Sequence, residues 1–175
     1  SSNKLLDVLG NVSHVIEQER EEKELLRRYM EDMKENMEHE KQRFFNSMIQ
    51  GEISFSDAVK IGKQYSMNLS AQLYNIVLFK VFSYLEDVSI SQQIWKIYEK
   101  TESEVAKIPY VNCFQQGIDG WAFLIGADSE EQIVERTKNL CEQLTQIMSC
   151  EKNLEYFGGV GRPVERIRNL GQSFR

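Results

Sequence analysis

The sequence predicts an α+β protein, a sheet domain with β-α-β-β-α-β element order behind one long helix. Three observations carry this. Apolar residues recur at steps of four and three through residues 1–48. The stretch LYNIVLFKVF at 73–82 is almost continuously apolar, β-branched and aromatic. Gly-Ile-Asp-Gly at 117–120 separates two short apolar runs, and helical stripes stand on either side of them.

The helix comes first. Leu5, Leu9, Val12, Ile16, Glu19, Lys23, Leu26, Met30, Met33, Met37, Glu40 and Phe44 form a heptad seam, and nine of these twelve positions are apolar. A seam sustained over more than five heptads predicts a coiled coil rather than a chance amphipathic helix. Charges of both signs fill the other faces. The alternative is one solvated helix lying on its own domain. Glu19, Lys23 and Glu40 weaken the seam but can fix its register. Parallel pairing suits a relay between domains, and the sequence leaves antiparallel pairing open. Leu26, Met30, Met33 and Met37 are the candidate dimer seam, because methionine packs adaptably. Gly51 is a plausible cap, giving a coiled-coil helix at 1–48 and a globular domain at 49–175.

Ser54 or Ser56 can cap a short helix through FSDAVKIGKQY, with Phe55, Val59 and Ile61 as buried candidates. The apolar run at 73–82 reads as a central strand covered on both faces. A helix follows over 89–108, where Ile90, Ile94, Ile97, Thr101, Val105 and Ile108 make one stripe that Pro109 ends. Residues 110–127 read as a hairpin turning at Asp119-Gly120. Ser129 caps the next helix, striped by Ile133, Thr137, Leu140, Leu144 and Ile147. LEYFGGVG is the last strand, and a final helix is expected to begin after Pro163. This is the split βαβ order of ferredoxin-like sheets.

Composition excludes several classes. The chain has 175 residues and a net charge of −6, so this segment is not expected to grip nucleic acid, which needs clustered Lys and Arg. No apolar run is long enough to span a membrane. Cys113, Cys141 and Cys150 lack metal-type spacing and read as reduced cytoplasmic thiols. His14 and His39 read as solvated helix residues.

One stretch invites a ligand. In GGVGRPV, Gly159, Gly161 and Arg162 could hold an anion ahead of a helix, with Asp119 of the hairpin nearby. Against this, Pro163 removes a donor and no Gly-Lys-Ser/Thr follows. The structural alternative is that the glycines let a central strand pack closely, with Pro163 at the first helical position.

FFNSMIQGEIS, YNIVLFKVF, the Gly-Asp-Gly hairpin and above all GGVGRPVERIRNLGQSFR resemble the central region of AraC-type two-component response regulators. That region is a degenerate relative of the GGDEF diguanylate cyclase domain, a cyclase-palm-like fold. The resemblance covers roughly residues 40–175. It implies a receiver domain before the coiled coil and a DNA-binding helix-turn-helix domain after this chain. An active cyclase needs carboxylates for two metal ions. The resemblance would put one of them at Phe79, Lys80 or Val81, and the hairpin keeps only Asp119. The expectation is therefore a non-enzymatic, cofactor-free module that dimerises and transmits a signal. A small-molecule or nucleotide sensor is the second reading, and a working cyclase the third.

Overall fold

A computed structural model describes residues 2–85, 87–117 and 119–165. The element order is α1 (Ser2–Ile49), α2 (Phe55–Gln64), β1 (Leu73–Phe82), α3 (Val88–Val105), β2 (Val111–Gln116), β3 (Gly120–Ala127), α4 (Glu130–Ser149), β4 (Glu155–Val160) and β5 (Val164–Glu165). The chain divides into two compact units, Ser1–Glu40 and Lys41–Arg175. The class is α+β, with a long N-terminal helix and a five-stranded antiparallel sheet.

The first unit is helix alone. With no Pro and one Gly before residue 41, nothing in the sequence interrupts it. Its apolar residues stay in water. Leu26, Met30, Met33 and Met37 are 48% to 62% exposed. On the outer faces, Arg27 reaches both Glu24 and Glu31, and Arg28 also reaches Glu24. These are exposed helix pairs, each worth only a few tenths of a kcal/mol.

In the second unit the strand order is β2-β3-β1-β4, all neighbours antiparallel, with β5 also paired to β1. β1 is central, and its pleat sends alternate side chains to two cores. Val77, Phe79 and Val81 face the core built with α3 and α4, where Ile97, Val105, Ile133, Leu140 and Leu144 are buried. Tyr74 and Ile76 face the other, with Phe114, Ala122 and Leu124. The helix stripes read from the sequence supply the first core.

The second core differs from expectation. Its cover comes from the end of α1 as well as from α2. Phe44, Phe45 and Met48 are buried there, so Phe44 is a core residue and not the last seam position. A broad sheet face needs large side chains, and Phe45 stacks on Phe114 with ring centres 4.3 Å apart. In α2 the Ser54 hydroxyl accepts the Asp57 N–H at 3.2 Å, but Ala58 and Gly62 are its buried residues. A Cβ at Gly62 would stand 2.7 Å from the Leu69 side chain, so this small helix seats closely because its inner face is small.

The glycine-rich stretch is corrected in two respects. β4 is an edge strand, and a Cβ at Gly158 or Gly159 would meet nothing nearer than 3.9 Å. Close packing does not explain these glycines. Nor does a helix begin after Pro163. Val164 and Glu165 pair with Tyr74 and Leu73 as β5, and Val164 is buried. Burial of Val164 and ladder pairing outweigh the N1 preference of proline. Residues 161–163 face only Asn75 and Ile76 of β1, one residue more than the partner strand, which is a bulge. Pro163, lacking an N–H, sits where the ladder is broken. The Gly161 N–H still donates to the Ile76 carbonyl at 2.9 Å. The rest of the final helix expectation, residues 166–175, lies outside the described residues.

Candidate functional site

The site candidates sort along β1. At its C-terminal end the β2–β3 turn folds back over the strand. Gly117 has φ +70°, the left-handed region that glycine tolerates. Gly120 has no room for a side chain: a Cβ would lie 2.9 Å from the Gln116 carbonyl and 3.3 Å from that of Phe79. The turn thereby brings Asp119 onto β1. Its carbonyl accepts the Val81 N–H at 2.9 Å. Its carboxylate stands 3.6 Å from the Lys80 ammonium.

Beside this pair lies an open cleft of about 640 Å³, lined by Val81, Phe82, Ser83, Asp87, Ile94 and Asp119 among others. Its two described carboxylates have partners. Asp87 caps α3, accepting the Ser89 N–H at 3.2 Å and the Ser89 hydroxyl at 2.9 Å. The backbone N–H of Ser89 first, and its hydroxyl second, hold the Asp87 carboxyl below the usual range. Among the described residues, no group of three or more His, Cys, Asp or Glu side chains could hold a metal ion.

Gly159, Gly161 and Arg162 stand elsewhere. Gly159 is opposite Leu78 and Gly161 bonds to Ile76, both on the β4 side of β1. Asp119 adjoins Lys80 and Val81 on the β3 side. Arg162 and Asp119 thus flank opposite edges of β1, about five residues apart along it, or roughly 16 Å at strand rise. The fold does not bring the four expected ligand residues together.

A smaller polar cleft of about 230 Å³ lies at the other end of the sheet. Arg136 donates to the Gly126 carbonyl at 2.7 Å, and its guanidinium lies 4.1 Å from the centre of the Tyr110 ring. The Tyr74 hydroxyl accepts the Ala71 N–H at 2.8 Å. None of these residues was singled out from the sequence. Tyr110 lies in the turn before β2 and Arg136 on α4, and no local pattern links them.

No family model matches the chain, and no curated protein matches it. Among the described residues no helix is long and apolar enough to cross a membrane.

Proposed function

We propose that the chain is a non-enzymatic signal-transmission and dimerisation module of a bacterial DNA-binding response regulator. It joins a receiver domain to an AraC-type helix-turn-helix domain, in the cytoplasm. One observation carries the reading: a heptad stripe from Leu5 to Met37 is left in water when the chain is alone. Scattered exposed apolar residues are ordinary, but a continuous stripe at coiled-coil spacing calls for a partner helix. A second copy supplies an identical stripe.

The globular unit supports the reading in two ways. Its strand order, β2-β3-β1-β4, is that of a ferredoxin-like sheet and so suits a cyclase-palm-like domain. Its chemistry suits a relay rather than an enzyme. The β1 position beside the hairpin carries Lys80, a cation, where the resemblance would call for a carboxylate. Lys80 also neutralises the one hairpin acid, Asp119. A second reading, a small-molecule sensor, is favoured by the open cleft beside Asp119 rather than by Arg162 and its glycines.

The test joins sedimentation of the purified chain at micromolar concentration to a GTP turnover assay with Mg²⁺. A dimer without cyclic dinucleotide product supports the module. A monomer, or metal-dependent product, refutes it.

A further inference from the structure

We infer that two copies of this chain pair through residues 2–40 as antiparallel helices, centred on residue 21, with Glu19 of each copy against Lys23 of the other. The inference rests on the dimer reading above and adds the orientation and register. The seam is symmetric about its charged centre. Ile16 and Leu26 are equidistant from residue 21, and so are Val12 and Met30, Leu9 and Met33, and Leu5 and Met37. Antiparallel pairing about that point sets each of these against its counterpart in the other copy. All eight side chains are about half exposed or more in the single chain. In heptad terms every layer matches an a position with a d position, as antiparallel coiled coils require.

The charges decide the orientation. In-register parallel pairing sets Glu19 against Glu19 and Lys23 against Lys23, two like-charge layers on a seam that excludes water. Antiparallel pairing about residue 21 turns both into Glu–Lys layers. Sliding by one heptad, seven residues, either way sets these charges against Met30 and Leu26 or against Ile16 and Val12, so the register is specified as well. Within the single chain, among the described residues, Glu19 and Lys23 are in no ion pair although they stand four apart, while Glu24, Arg27, Arg28 and Glu31 are. The flanks are mixed. Val15 and Tyr29, exposed beside the seam, meet each other only in the antiparallel form. Arg20 and Glu22 meet their own copies there, but at the wet rim, where salt screens them.

The test is a charge swap in the whole chain, read by sedimentation at low salt, with circular dichroism to check helix content. Glu19→Lys or Lys23→Glu alone places like charges in both central layers and should weaken the dimer at least ~10-fold. The double variant restores opposite charges and should return within about threefold of wild type. A dimeric wild type with no rescue by the double variant overturns the antiparallel arrangement and leaves the dimer reading standing. A monomeric wild type overturns both.

Discussion

The ammonium of Lys80 lies 3.6 Å from the Asp119 carboxylate, joining the central strand to the hairpin turn. A cation and a lone acid here cannot clamp two metal ions. The purified chain is therefore expected to form no cyclic dinucleotide from GTP and Mg²⁺, as read by chromatography. The Lys80 and Asp119 side chains are 59% and 37% exposed, so the pair contributes little to stability. Lys80→Met should shift unfolding by less than ~1 kcal/mol in urea titration.

The seam predicts a sharper response. Met30→Lys with Met37→Lys places two charges per chain on the stripe, where each must stay wet or find a partner. The double variant should sediment as a monomer at micromolar concentration and keep its fold, because neither residue belongs to the globular cores. An unchanged sedimentation coefficient would show that the stripe serves some other contact.

The end of α1 belongs to the globular unit. Phe45 is fully buried and stacked on Phe114. Phe45→Ala should destabilise the unit by about 3–5 kcal/mol. Residues 41–175 should fold alone, whereas residues 50–175 should not, as judged by cooperative unfolding.

The helix caps give two smaller effects. The Ser129 hydroxyl accepts the Gln132 N–H at 3.1 Å, and Ser129→Ala should cost about 1 kcal/mol. Asp87 behaves differently with pH. Its carboxyl is lowered by the bonds from Ser89, so folding favours the ionised form. Its stabilisation is present above the unfolded value, near ~3.9, and is lost as pH falls through the folded one. The stability gap between wild type and Asp87→Ala should be constant from about pH 7 to 5 and narrow in stronger acid. A gap that widens in acid would contradict this sign.

Much of the fold was legible because its signals are local. The stripe from Ile133 to Ile147 and the apolar run of β1 each need only their own sequence to be read. Phe44 was misread because it falls in phase with the seam, and periodicity does not tell which partner a stripe meets. Val164 was misread because the N1 preference of proline is weak beside ladder pairing and burial. The candidate ligand set failed to converge for a similar reason. Gly159, Gly161 and Arg162 form a motif in sequence, but β1 separates them from Asp119. The Lys80–Asp119 pair depends on how the hairpin folds over β1, which no spacing encodes; the cap at Asp87 is local, two residues from Ser89, and was simply missed.

The exposed helix, residues 2–40, is expected to join two copies of this chain. The direct measurement is sedimentation equilibrium of the whole chain and of residues 41–175 over the same micromolar range. The whole chain should fit a dimer that dissociates on dilution, and residues 41–175 a monomer throughout. Equal association by both, or a monomeric whole chain, would contradict the account.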